Sequence, residues 1–266
     1  MDFKNKVVLI TGASSGIGKQ TAIEFAKLGS NIILVARRKD KLEQVENELK
    51  QFNVTTLICP CDVSKKDQVE IMSKTVLEKF NFVDILVNNA GFAIYGSVLD
   101  LSIEEIESQM ETNYFGMIYC TKNFLPLMLK KKSGHVVNVA SVAASFGLPG
   151  IASYCASKFA MLGFSEGLKH EISGTGVGIT VVSPIMVKTD FFEHPSFAKM
   201  PKYSPMSLNS ITVAKAIVKA SNSSRLEIIT PSVVRIAVWL KHTFPYFINP
   251  ILGKSFKKQL ESTKVD

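Results

Sequence analysis

The chain has 266 residues, 46% of them hydrophobic and 20% charged, which suits a large core in one domain. Its net charge of +8 fits a phosphorylated cofactor as well as an anionic surface, and no basic stripe interleaved with aromatics marks a nucleic-acid reader. No apolar core precedes a cleavage site, no uncharged run reaches the ~18 residues of a spanning helix, and the scattered cysteines and histidines form no metal or redox pair. A cytoplasmic chain with reduced, buried thiols is expected.

Val7-Val8-Leu9-Ile10 is a β-branched run and predicts a buried strand. It ends in Thr11-Gly12-Ala13-Ser14-Ser15-Gly16-Ile17-Gly18. Ile17, Ala22, Phe25, Ala26 and Leu28 then form an apolar helical stripe, and Gly29 stops it. Strand, glycine-rich turn and helix make a phosphate cradle. Glycines let the backbone approach a pyrophosphate, and the helix start offers free N–H groups and a positive dipole end. Residues 31–35 form a second strand, followed by Ala36-Arg37-Arg38. An acidic residue at this strand end would hold an adenosine ribose and favour NAD. Two arginines there fit a 2′-phosphate instead, with Arg37 the first contact and Arg38 its neighbour, which points to NADP. The same pair also reads as the solvated start of a basic helix.

A helix over 42–52, a strand over 55–59 and a helix capped by Asp62-Val63 come next. A strand over 84–87 then ends at Asn88-Asn89-Ala90-Gly91. This alternation predicts right-handed βαβ units, hence an α/β Rossmann-type doubly wound parallel sheet of about seven strands, with helices on both faces. Gly12, Arg37, Asp62 and Asn89 all fall at carboxyl ends of strands, where such sheets bind ligands.

A long helix is expected over 106–127, with Asn113 as an interior polar residue, and a strand over 135–139. Ser141 follows and reads as a turn cap. In Tyr154-Cys155-Ala156-Ser157-Lys158 the phenol and the ammonium lie four residues apart, on one helix face. A nearby cation favours phenolate, so the spacing predicts a lowered tyrosine pKa and an acid/base couple. The rest of this helix, with Phe159, Leu162, Gly163 and Phe164, is apolar on most sides and is expected to be buried, against the sheet and against a partner subunit.

Together, Thr11 to Gly18, Asn88 to Gly91 and Tyr154 to Lys158 resemble the motif set of the classical short-chain dehydrogenase/reductase (SDR) family, over roughly residues 5–230. The glycine pattern is TGxxxGxG. The resemblance implies a homodimer or homotetramer binding NAD or NADP and interconverting carbonyls and alcohols. It implies that Tyr154 is the acid/base and that Ser141, thirteen residues earlier, orients the substrate oxygen. Lys158 would hold the nicotinamide ribose and Asn113 would support a proton relay. Cofactor contacts are implied for Gly12, Ser14, Ser15, Gly16, Ile17, Gly18, Asp62, Val63, Asn89, Ala90, Gly91, Pro184, Val187 and Thr189. One departure stands beside the nicotinamide: Ile185 follows Pro184 where the family has glycine.

A strand over 178–182 leads to that proline, and residues 185–206 form a substrate loop. Phe191, Phe192, Phe197, Met200 and Met206 are expected either to line an apolar pocket or to pack as ordinary core. A helix over 211–220 and a strand over 226–229 close the catalytic domain, residues 1–231. The extension 232–266 is basic and apolar, interrupted by Pro245 and Pro250. It is expected to dock on protein, with peripheral membrane contact as the alternative. The expected function is NADP-dependent hydride transfer to or from an apolar carbonyl or alcohol; the alternative is a nucleotide-sensing protein of the same fold.

Overall fold

In a computed structural model, which describes residues 2–198 and 206–263, the chain forms one α/β domain. Its strands are β1 (Val7–Thr11), β2 (Asn31–Ala36), β3 (Thr56–Pro60), β4 (Ile85–Asn88), β5 (Gly134–Val139), β6 (Val177–Pro184), the short pair β7 (Val187–Lys188) and β8 (Leu208–Asn209), and β9 (Glu227–Thr230). Seven of them form a parallel sheet in the order β3-β2-β1-β4-β5-β6-β9. The order reverses between β1 and β4, where Leu9 pairs with Leu86. That places the ligand crevice beyond the carboxyl ends of those strands.

Both sheet faces are covered, which explains why the strands read as continuous apolar runs. On one face, α1 (Gly16–Lys27), α2 (Lys39–Leu49) and α7 (Ser210–Ala220) bring Phe25, Leu42 and Ile217 onto Val8, Ile10 and Leu34. On the other, α3 (Lys66–Phe80), α5 (Gly116–Lys131) and α6 (Ala152–Glu171) lie along the sheet, and α4 (Ile103–Met110) packs on α6. There Val76, Phe124, Met128 and Leu168 pack on Leu9, Leu86 and Val136.

Several local expectations change. Asp62-Val63 does not cap α3; Lys65 does, with extended backbone. Asp62 instead accepts hydrogen bonds from the Ser64 N–H at 3.0 Å and hydroxyl at 2.9 Å, closing its own turn after β3. The helix expected over 106–127 is longer and is not uniformly α. It starts at a Ser102/Glu105 capping box, and a π-helical turn over Glu111–Phe115 joins α4 to α5. Pro245 does separate two helices, α8 (Val234–Thr243) and α9 (Pro245–Thr263), but Pro250 lies inside α9 without ending it. The segment after β6 carries regular structure, with β7 pairing to β8 and two 3₁₀ turns over Asp190–Glu193 and Pro195–Phe197. Met200 lies outside the described residues, and Met206 is exposed rather than pocket-lining. The second half of α6 is buried only inward. Met161, Ser165 and Leu168 face the core, while Phe159, Gly163 and Gly167 are exposed.

Candidate functional site

The glycine turn between β1 and α1 is built by contacts that exclude side chains. Gly12 has φ +65°, and a Cβ there would come within 2.9 Å of the Ala90 Cα and the Asn89 Nδ2. At Gly18 a Cβ would stand 2.2 Å from the Gly12 carbonyl oxygen and 2.6 Å from Asn89 Nδ2. The Asn89 amide donates to the Thr11 carbonyl at 2.9 Å and the Gly12 carbonyl at 3.3 Å. The Thr11 hydroxyl accepts from the Asn89 and Ala90 N–H groups at 2.9 and 3.0 Å. These bonds lock the end of β4 to the end of β1. Thr11, a motif residue to which the sequence reading gave no role, is the centre of that lock.

Ser15 stands at the N-cap of α1 and its side chain makes no capping bond. The first N–H groups of the helix therefore face the turn without a side-chain acceptor. Gly16, at φ +54°, lies against Thr189, which a Cβ would approach to 3.1 Å. The segment after β6 thus returns to the cradle, with Ser14 and Ile17 half-buried beside it and Val187 buried in β7. Ile185 takes no left-handed backbone and its N–H donates to the Thr230 carbonyl at 3.0 Å, so the residue replacing the family glycine is accommodated without strain. Arg37 and Arg38 are exposed at the end of β2, and neither has a carboxylate partner among the described residues. Asp62 and Val63 follow β3, and Val63 contacts Gly116 at the start of α5.

Ser141, Tyr154, Lys158 and Asn113 meet beyond β4, β5 and β6. The Ser141 hydroxyl donates to the Pro184 carbonyl at 3.4 Å and lies near enough to the Tyr154 side chain to act on its phenol. It is also the turn cap, accepting from the Ala143 N–H at 3.1 Å. Asn113, fully buried in the π turn, accepts from the Phe92 N–H at 2.9 Å and donates to the Phe92 carbonyl at 3.0 Å. It also donates to the Ser157 hydroxyl at 2.9 Å, and that hydroxyl donates to the Tyr154 carbonyl at 2.7 Å. Ser157 thus ties the asparagine to the tyrosine helix, a role hidden inside its motif. Gly91 completes the floor, since a Cβ there would reach 2.9 Å from Asn113 Oδ1 and 3.5 Å from Lys158 Nζ.

The tyrosine–lysine pair differs from its expectation. Lys158 Nζ sits 5.6 Å from the Tyr154 ring centroid and donates to the Val139 carbonyl at 3.0 Å. Burial pushes the Lys158 pKa down to about 7, so its charge is weakened at neutral pH. Burial also pushes the Tyr154 phenol up, and the nearby Ser141 side chain offsets this only in part. Desolvation, not the neighbouring ammonium, dominates. The surroundings supply the reason: Tyr154 packs with Ala143, Cys155 and Phe197, and Phe191 stands edge-on to it at 5.6 Å between centroids. Tyr95, Leu148, Ile151 and Phe192 close the same cluster. Ser196 accepts from the Tyr95 N–H at 2.9 Å and so fastens the loop after β6 to the segment after β4. Of this lining, Phe191, Phe192 and Phe197 are the expected residues, whereas Tyr95, Leu148 and Ile151 carry no spacing signal.

The fold and this site have known counterparts. The family described as short chain dehydrogenase matches residues 6–197. Human 17-beta-hydroxysteroid dehydrogenase 13 is 33% identical over 260 residues, covering 97% of this chain and 85% of that one. Among solved structures, an SDR from Burkholderia phymatum in complex with NAD superposes with a TM-score of 0.82 at 27% identity, covering 91% of this chain and 95% of its own. An alcohol dehydrogenase from Thermococcus sibiricus complexed with 5-hydroxy-NADP gives 0.76 at 30% identity, covering 86% and 97%. The chain belongs to the short-chain dehydrogenase/reductase family of oxidoreductases. The glycine cradle, the uncapped start of α1 and the nearby Thr189 fit a nicotinamide dinucleotide.

Proposed function

We propose that this protein is an NADP(H)-dependent oxidoreductase acting on a carbonyl or secondary alcohol of an apolar small molecule. The observation that carries the reading is the meeting of Ser141, Tyr154, Lys158 and Asn113 at the strand ends beside the glycine cradle. When bound, NADPH supplies the hydride for carbonyl reduction. Tyr154 donates its proton to the carbonyl oxygen, and its raised pKa keeps the phenol protonated at neutral pH, the state a reduction requires. Ser141 hydrogen-bonds the same oxygen and orients it. Lys158 takes the ribose hydroxyls, and Asn113 holds the backbone around it. Ser14, Ser15 and the α1 N-terminus would hold the pyrophosphate, Asp62 and Val63 would lie at the adenosine end, and Asn89, Ala90 and Gly91 would line the floor. Pro184, Val187 and Thr189 would hold the nicotinamide end. Arg37, with Arg38 beside it, takes the 2′-phosphate, which favours NADP over NAD. The aromatic cluster on Tyr154 supports an apolar substrate, as does the hydroxysteroid named for the human relative.

Residues 1–231 form the catalytic unit, with 185–206 as its substrate loop. The exposed Phe159, Gly163 and Gly167 on α6 and Phe115 at the start of α5 suit pairing into a homodimer or homotetramer. No helix among the described residues is long and apolar enough to cross a membrane. The four free, buried cysteines suit a reducing compartment such as the cytoplasm.

The test is NADPH oxidation over a panel of short, aromatic, steroid and long-chain carbonyls. Tyr154→Phe is expected to lower turnover at least ~100-fold with cofactor binding retained; near-normal turnover refutes its role. Arg37→Ala is expected to weaken NADPH at least ~10-fold more than NADH, and equal losses refute the 2′-phosphate contact. Cofactor binding without turnover on any carbonyl would favour a nucleotide-sensing protein.

A further inference from the structure

Helix α8 rests only lightly on the subunit that carries it. Helix α8 has no buried residue. Its outward side carries Val233, Ile236 and Trp239, the last 60% exposed, and at the start of α9 Tyr246 is 91% and Phe247 73% exposed. The inward side is thin: Val234 and Val238 are half-buried, and the Lys241 ammonium lies 5.8 Å from the Phe159 ring and 6.0 Å from that of Phe146. An apolar surface this concentrated marks an interaction site.

Three observations choose the occupant. Residues 233–261 carry five Lys or Arg side chains (Arg235, Lys241, Lys254, Lys257, Lys258) against one acidic residue, Glu261. The exposed aromatics include Trp239 and Tyr246, rings with an apolar body and a polar tip that suit a lipid–water boundary. Long Lys side chains around such a patch can lie along it and keep their charges at the headgroups. A second copy of the chain would instead bring like charge onto like charge around a symmetric contact.

We propose that α8 and α9 form a peripheral docking element for an anionic lipid surface, with Ile236, Trp239 and Phe247 entering the headgroup boundary and the lysines pairing with lipid phosphates. The placement has a geometric consequence. The tail leaves β9 at Thr230, which pairs with Pro184 at the carboxyl end of β6. That is the end of the sheet carrying Ser141 and Tyr154, so a tail on lipid holds the catalytic end beside the surface.

Trp239 is the only tryptophan in the chain and reports directly. The full chain is mixed with phosphatidylcholine vesicles with and without phosphatidylserine, and Trp239 emission and co-sedimentation are followed. A blue shift and pelleting with the anionic vesicles, weakened by high salt, are expected. Ile236→Glu/Phe247→Glu changes exposed side chains only and is expected to weaken partitioning at least ~10-fold with circular dichroism unchanged. Lys254→Glu/Lys257→Glu is expected to do the same on anionic vesicles alone. No shift and no pelleting overturns the proposal, as does binding that both variants retain. A concentration-dependent shift without lipid, with a doubled mass by light scattering that Ile236→Glu abolishes, assigns the face to a second copy and also overturns it. Vesicle binding needs no turnover, so its failure leaves the oxidoreductase reading intact.

Discussion

Replacing Asn113 by leucine tests whether the π turn exists to hold one amide. The side chain is fully buried and satisfies the Phe92 N–H, the Phe92 carbonyl and the Ser157 hydroxyl. Leucine has nearly the same size but pairs with none of them. A buried group stripped of its partner costs about 1–3 kcal/mol. Ser157 keeps its own bond to the Tyr154 carbonyl, so the loss falls mainly on the two Phe92 groups, about 2–6 kcal/mol in all. In a domain of this size that corresponds to a fall in Tm of roughly 5–15 °C. Urea unfolding followed by circular dichroism measures it, with the slope m expected to stay unchanged. A loss below about 1 kcal/mol at constant m would show that Phe92 finds other partners. The asparagine would then not be what holds the segment after β4 in place.

Gly18→Ala places a methyl group 2.2 Å from the Gly12 carbonyl oxygen and 2.6 Å from Asn89 Nδ2. It is expected to lower NADPH affinity at least ~10-fold by titration calorimetry, and unchanged affinity would refute the close-packed cradle. His135 bonds to Thr180 in the core, and burial pushes its pKa down to about 4. The unfolded chain therefore binds a proton near pH 6.5 that the native chain refuses. Stability from this residue is complete above that pH and falls by on the order of 3 kcal/mol as pH drops towards 4. His135→Gln keeps a hydrogen-bonding side chain without titrating, so its stability should fall less steeply over that window. Equal slopes in urea unfolding would exclude the histidine as the source.

Parallel strands buried on both faces leave a strong mark in sequence, and glycines forced by close backbone approach leave another. That is why the runs at Val8 and Ile33, Gly12, Gly18 and the strand-end placement of Asn89 were legible before any coordinates. The π turn left no mark, because Asn113 has the composition of an ordinary helix residue and its partners, Phe92 and Ser157, are far apart in the chain. The cap of α3 was misplaced for a related reason: Asp62 is a good capping residue, but its oxygen is taken by Ser64 one turn earlier. In the tail, Pro250 reads as a breaker, yet α9 continues through it, with the one N–H that proline lacks missing from its ladder.

The tyrosine–lysine pair shows most plainly what spacing alone cannot supply. Residues four apart on a helix must lie near one another, and from that follows an electrostatic argument for a more acidic phenol. The argument assumes a fixed positive charge and a solvated ring. Neither holds, because Phe191, Phe197 and Ala143 desolvate Tyr154, and Lys158's own burial drives it towards neutrality. Aromatics contributed by the loop after β6, some forty residues further along the chain, therefore help to set the proton affinity of the phenol. A residue such as Phe191 then acts on two properties at once: it shapes the apolar space beside the phenol, and it fixes how readily that phenol keeps its proton. Under the proposed function, a change in this loop that opened the space beside the ring would also let water reach Tyr154, and selectivity and acid strength would be coupled through one ring contact.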